Sequence, residues 1–405
     1  MIKALLTKPL IPSKPTLFIT LALFIALVGF ISMDIYFPSF PAISDAFAIT
    51  PGTTQLTLTL FLCGFGISQL FYGPLSDYFG RRPVLLIGFC IYLLGSAGLA
   101  TTHSTQMLLL TRLIQGIGAG AGASLGRVLL RDKFTGNTMA QMASYLTIGI
   151  ALATALAPAL GGYIQEIFGF RGNFILMLLF GLFVTVFVCI YLPETHQTRS
   201  QYSLHPFIIV KNYAALLRNK IFICNMLCSG LALSALIAYA IINPFILQNH
   251  LHVSPAHYGL ITLCIALGEL IGTFINSQCV TTLGYRTMMI IGIALMVLAA
   301  SLMITLSILN IFNIMSIMVP TFLITMCIGI IIPNATAGAF STLTSSIGAA
   351  GAIYGFFQVL MTVLVTYCIA NLPTQTQTEL GVIFLVLGLI SSILFLLQSH
   401  SRQST

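Results

Sequence analysis

The chain has 405 residues, 58% of them apolar and only 6% charged, with a formal net charge of +8; soluble domains carry about 45–50% and about 25% respectively. That balance excludes two or three soluble domains, because the apolar runs recur too often and stay apolar too long for a chain folded in water. The core must face lipid as well as itself.

The first apolar run, Thr16 to Phe37, follows Lys3, Lys8 and Lys14 in the manner of a secretory signal. It is longer than the apolar centre of a signal, about 7–15 residues, and no small-x-small cleavage site follows, so it is read as the first membrane span. Five more runs follow at 54–72, 84–102, 107–129, 141–164 and 173–192. A polar, basic stretch from Pro193 to Lys220 interrupts the pattern, and six further runs occupy 221–247, 257–279, 287–308, 314–341, 351–371 and 379–398. The expectation is an all-α membrane protein of twelve spans, organised as a bundle at 1–192, a linker at 193–220 and a second bundle at 221–405.

With both termini in the cytoplasm, the inner segments hold Lys3, Lys8, Lys14, Arg81, Arg82, Arg127, Arg131, Lys133, Arg199, Lys211, Arg218, Lys220, Arg286 and Arg402, and the outer loops only Arg171. Lys and Arg bias sets orientation, so this asymmetry predicts the topology. It also accounts for the basic charge without a nucleic-acid partner. The nine cysteines fall in or beside apolar runs and are read as reduced packing residues. Cys224 and Cys228 lie one turn apart but lack a second ligand pair, so no metal is expected. His250, His252 and His257 cluster in the outer loop after the seventh span, as exposed polar residues rather than ligands.

The halves repeat at an offset of 204 residues: Thr50-Pro51 matches Ser254-Pro255, Gly64 matches Gly268, Gly80 matches Gly284 and Arg82 matches Arg286. Parallel six-span repeats with a site between them are the architecture of a rocking transporter. Asp34 falls opposite Ala238, and Asp77 opposite Thr281, so the ionisable chemistry concentrates in the first half.

Asp34 lies near the outer end of the first span, and Arg112 enters the fourth from the same side at similar depth. Either charge alone costs a few kcal/mol in the bilayer, whereas together they can satisfy each other. Desolvation favours the neutral carboxyl and a guanidinium the charged one, so such a group can take up and release protons. A static ion pair fixing the two spans is the plainer alternative. Glu269, about twelve residues into the eighth span, has no charged neighbour in sequence. It is either a cavity acid for protons or cations, or a neutral hydrogen-bonded core residue.

Between the second and third spans the chain reads Gly73-Pro-Leu-Ser-Asp77-Tyr-Phe-Gly80-Arg81-Arg82-Pro83. This resembles the signature loop of the major facilitator superfamily. Arg112-Leu-Ile-Gln115-Gly116-Ile-Gly118 is similar to its second motif, and Ala157-Pro158-Ala-Leu-Gly161-Gly162 to the motif of its drug/proton antiporters, with Ala153 and Ala157 where the family usually has Gly. Met33-Asp34-Ile-Tyr36-Phe37-Pro38, Asn243-Pro-Phe245, Pro333-Asn334 and Gly351-Ala-Ile-Tyr-Gly355-Phe-Phe-Gln358 resemble the Bcr/CflA branch of multidrug exporters.

The resemblance implies two six-helix bundles and a monomeric, proton-coupled exporter in a bacterial inner membrane. Asp77, with Gly73 and Gly80, becomes a gating residue that could latch onto the helix start at Gly348–Gly351. Arg81, Arg82 and Asp132 could add a charged clasp. A solvated turn that only orients the chain is the alternative. The aromatics Tyr36, Phe37, Phe61, Phe65, Tyr239 and Phe245, with Gln115, Asn243 and Gln358, are the candidate cavity lining and suit a lipophilic ligand. Pro158, Gly161 and Gly162 are expected to bend and thin the fifth span. The glycines from 116 to 126 sit in an apolar run with no preceding strand, which points to helix packing, not a nucleotide loop. No Lys follows a Gly, so there is no phosphate loop for ATP, and no cofactor is expected. Metabolite uptake or exchange is the competing transport reading. An enzyme would need a cluster of reactive groups at one depth, which the sequence lacks.

Overall fold

The computed structural model describes residues 15–195, 214, 216–341, 347–372 and 376–400. Lys3, Lys8, Lys14, Arg199, Lys211 and Arg402, together with most of the stretch 193–220, lie outside the described residues. The helices are α1 Pro15–Asp34, α2 Phe40–Phe47, α3 Pro51–Phe79, α4 Arg81–Thr101, α5 Thr105–Lys133, α6 Gly136–Tyr191, α7 Lys220–Phe245, α8 Pro255–Ile308, α9 Ile314–Phe340, α10 Ile347–Ala370 and α11 Gln377–His400. No strand occurs among the described residues. In lipid every backbone N–H and C=O must be satisfied within its own segment, which helices do.

Ten of these segments are long and apolar enough to cross a membrane. Two are much longer than one crossing needs: α6 has 56 residues and α8 has 54, about 80 Å each at 1.5 Å per residue against an apolar bilayer core of about 30 Å. Each turns at one glycine with left-handed backbone, Gly169 (φ 69°) and Gly284 (φ 77°), a conformation that a side chain would resist. α6 therefore contains the fifth and sixth spans, and α8 the eighth and ninth, giving twelve crossings. The expected polar gaps shrink to one residue because a positive-φ glycine suffices to reverse the chain.

The first span ends earlier than expected. α1 stops at Asp34, a 3₁₀ turn covers Phe37–Ser39, and α2 follows from Phe40. Pro38 and Pro41 supply no N–H, and each disfavours helical geometry in the residue before it, so the helix is interrupted here. Asp77, expected in a turn after the second span, lies instead in the last turn of α3, which runs on to Phe79. Gly80 (φ 103°) then breaks the chain before α4. The sequence repeat has a backbone counterpart: Pro51 and Pro255 both open helices, and Gly80 and Gly284 both have positive φ.

The described residues fall into two compact units, one of residues 15–49 and 57–195 and the other of 50–56 and the described residues from 214 to 400. In the first, α5 runs against three neighbours through its glycines: Gly116 faces the Phe61 carbonyl of α3, Gly118 the Tyr92 backbone of α4, and Gly122 the Ile25 carbonyl of α1. Small residues at these points let backbones approach closely, as packing in lipid favours. In the second, α8 and α9 meet where Gly329 faces the Glu269 backbone and where Asn334 donates to Asn276.

Candidate functional site

The first unit encloses Arg112 completely, at 0% exposure. Its Nη1 donates to Gln115 Oε1 (2.6 Å), one turn further along α5, and to the Ser32 carbonyl of α1 (3.3 Å). Gln115 Nε2 donates in turn to Ser96 Oγ of α4 at 2.9 Å. The guanidinium carbon lies 3.5 Å from the centre of the Tyr36 ring, with Phe61 at 5.7 Å and Phe174 at 5.6 Å. Among the described residues Nε and Nη2 have no hydrogen-bond partner. The aromatic faces therefore supply much of the compensation for a cation taken out of water.

Asp34 is the last residue of α1, two positions after Ser32, and is buried at 9% exposure. The chain leaves the helix directly after it, and Tyr36, two residues further on, packs on Arg112. Ser32 Oγ lies 2.6 Å from the Tyr92 hydroxyl, which donates to the Met177 carbonyl of α6 at 3.1 Å. Four helices thus converge on one buried cation held by aromatic faces, a carbonyl and a side-chain amide. Such a pocket can hold a charge in lipid.

A second cluster forms at the far end of the same unit. Arg81 pairs with Asp77 four residues earlier, and its Nε donates to Asp132 of α5 at 2.9 Å. Thr195 Oγ1 donates to the same Asp132 oxygen at 3.2 Å. The Glu194 carboxylate accepts from the Arg81 N–H (2.9 Å) and the Arg82 N–H (3.3 Å), capping the start of α4 where the helix dipole favours negative charge. Arg82 Nη2 donates to the Cys189 carbonyl at 2.7 Å. The ends of α3, α5 and α6 are thereby fastened to the start of α4.

The Major Facilitator Superfamily pattern matches residues 22–366. The chain belongs to that superfamily. It is similar to a bicyclomycin resistance protein homolog of Haemophilus influenzae, 28% identical over 368 residues, or 88% of this chain and 91% of that one. It is also similar to multidrug resistance protein D of Escherichia coli, 27% identical over 374 residues, or 92% and 93% of the two chains. Among solved structures, a D-xylose–proton symporter aligns with a TM-score of 0.76 over 94% of this chain and 96% of its own, at 15% identity; that likeness concerns the fold alone. As a superfamily member, the protein is a multi-pass membrane transporter of small molecules and not an enzyme.

The superfamily motifs place the remaining candidates unevenly. Phe37, Phe61 and Phe65 are buried in the first unit, with Phe61 stacked on Phe65 at 5.9 Å. Gly161 and Gly162 are buried, and Gly161 bears on the Ile35 carbonyl. Pro158 lies within α6, and Gly73 within α3. In the second unit Tyr239, Asn243 and Phe245 are buried along α7. Gln358 of α10 does not join them. It donates to Ser229 at 3.0 Å, ten residues or about 15 Å along α7 from Tyr239. Glu269 is half-buried, and among the described residues its carboxylate has no ion-pair partner.

Sequence reasoning missed Glu194, Asn173 and Ser96. The Pro193-Glu194-Thr195 signal stood just past an apolar run and read as linker. Asn173 and Ser96 lie within apolar runs and belong to none of the motifs.

Proposed function

We propose that this superfamily member exports small, mostly lipophilic molecules from a bacterial cell in exchange for protons, as a multidrug antiporter of the Bcr/CflA type. The observation that carries this reading is Arg112, a fully enclosed cation whose contacts reach the end of α1 beside the buried Asp34. The names of its relatives support it: bicyclomycin resistance, multidrug resistance and, in Pseudomonas aeruginosa at 26% identity, chloramphenicol resistance.

In this reading Asp34 takes up a proton when its pocket opens outward and releases it inward. Arg112 stabilises the deprotonated form, and Tyr36 holds the guanidinium in place. Glu269 serves as a second acid in the other unit. The aromatic residues Phe37, Phe61, Phe65, Tyr239 and Phe245, with Gln115, Asn243 and Gln358, contact substrate. The cluster of Asp77, Arg81, Arg82 and Asp132, flanked by Gly73 and Gly80, acts at the cytoplasmic gate. Pro158, Gly161 and Gly162 let α6 bend. The functional division is a bundle at 1–192, a linker at 193–220 and a bundle at 221–405, with both termini cytoplasmic and a monomer as the working unit.

Expression in an efflux-deficient bacterium, challenged with a panel of antibiotics, dyes and metabolites, tests the reading. Raised resistance to lipophilic antibiotics, abolished by a protonophore and by Arg112→Ala, is the expected result. Accumulation of a metabolite with unchanged drug resistance would replace export by uptake.

A further inference from the structure

α6 contributes more to the Arg112 pocket than its sequence motif indicates. Asn173 stands four residues after the Gly169 turn and is fully buried. Its Nδ2 donates to the Gly161 carbonyl at 3.0 Å and to Ser39 Oγ at 2.8 Å, and Ser39 Oγ donates to Gln165 Oε1 at 2.6 Å. The Gly161 carbonyl can only accept, so the amide nitrogen must face it, and this fixes the direction of the whole chain of bonds. One carboxamide therefore joins the two limbs of α6 and ties both to the 3₁₀ turn that follows the α1 break.

The neighbours of this chain of bonds are the walls of the cation pocket. Gly161 packs on the Ile35 carbonyl, immediately before Tyr36. Phe174, next to Asn173, lies 6.4 Å from the Tyr36 ring and 5.6 Å from the Arg112 guanidinium carbon. Met177, one turn further on, accepts from Tyr92. The ionisable groups facing the pocket are Asp34 and Tyr36 at the α1 end, Tyr92 from α4 and Arg112 from α5, while α6 presents Phe174 and Met177.

We propose that Asn173 is a positioning residue for proton coupling: it holds the broken end of α1 on the helix carrying the Pro158 motif and so keeps Tyr36 and Phe174 against Arg112. This rests on the reading of Asp34 and Arg112 as the coupling site. Asn173 touches neither proton nor substrate and acts through Ser39, Gly161 and Phe174. A buried network of this kind is sensitive to loss of any member, because the groups left behind lose their partners.

The test uses Asn173→Leu and Ser39→Ala in the full-length protein, reconstituted in liposomes, with efflux measured against pH and normalised to folded protein. The expected result is a shift of about one pH unit in the half-maximal point, a tenfold change in proton affinity. Asn173→Leu/Ser39→Ala should shift no further than Asn173→Leu, because both residues belong to one chain of bonds. An unchanged profile, with activity falling only as the amount of folded protein falls, overturns the proposal. Should Asn173→Leu fail to insert, Ser39→Ala decides: the same shift supports positioning, and an unshifted profile overturns it. Asp34→Asn is measured alongside. If it retains proton release on substrate addition, the coupling reading itself fails; if it loses release while Asn173→Leu and Ser39→Ala leave the profile unmoved, only the positioning role fails.

Discussion

The guanidinium carbon of Arg112 lies 3.5 Å from the centre of the Tyr36 ring, and neither side chain is exposed to solvent. Tyr36 stands between the end of α1 at Asp34 and the 3₁₀ turn that begins at Phe37.

A desolvated cation–π contact is worth about 2 kcal/mol. Tyr36→Leu should therefore lower transport by roughly tenfold or more, whereas Tyr36→Phe keeps the ring face and should retain most of it. Equal loss in both variants, measured as efflux per folded molecule, would assign the effect to the hydroxyl that meets Thr57 at 3.2 Å.

The two intramembrane acids should separate. If Asp34 is the coupling acid proposed above, Asp34→Asn should abolish proton-driven efflux of every substrate. Glu269→Gln, in the other unit and without an ion-pair partner among the described residues, should weaken efflux of cations and spare neutral compounds. Proton release on substrate addition, followed in detergent, should vanish in the first variant and persist for a neutral substrate in the second. The reverse pattern would exchange their roles.

At the Arg81 cluster, capping and gating predict different losses. Glu194→Gln replaces one of two acceptors with a donor facing backbone N–H groups, so a loss of about 1 kcal/mol of stability is expected, read as a lower melting temperature. Asp77→Asn, on a side chain 38% exposed, should leave melting nearly unchanged while reducing transport. Full transport by Asp77→Asn at equal expression would limit the motif to orienting the chain.

Alkaline phosphatase fused within residues 196–213 should be inactive, because the flanking Lys and Arg bias places that stretch in the cytoplasm. A strongly active fusion would invert the topology.

The amino-acid sequence by itself determined that the protein is helical and membrane-spanning and where most spans lie, since lipid leaves the backbone few alternatives and apolar length is a local property. It also located the signature loop, by its spacing. Local pattern could not say that the gaps near Gly169 and Gly284 are single-residue turns, or that α1 stops three residues short. Nor could it say that Glu194 caps α4 across more than a hundred residues, that Asn173 meets Ser39, or that Gln358 sits far along α7 from Tyr239. These depend on which helix faces meet. Partners distant in sequence come together only when close backbone packing, through residues such as Gly116, Gly161 and Gly329, fixes the rotation and register of each helix against its neighbours.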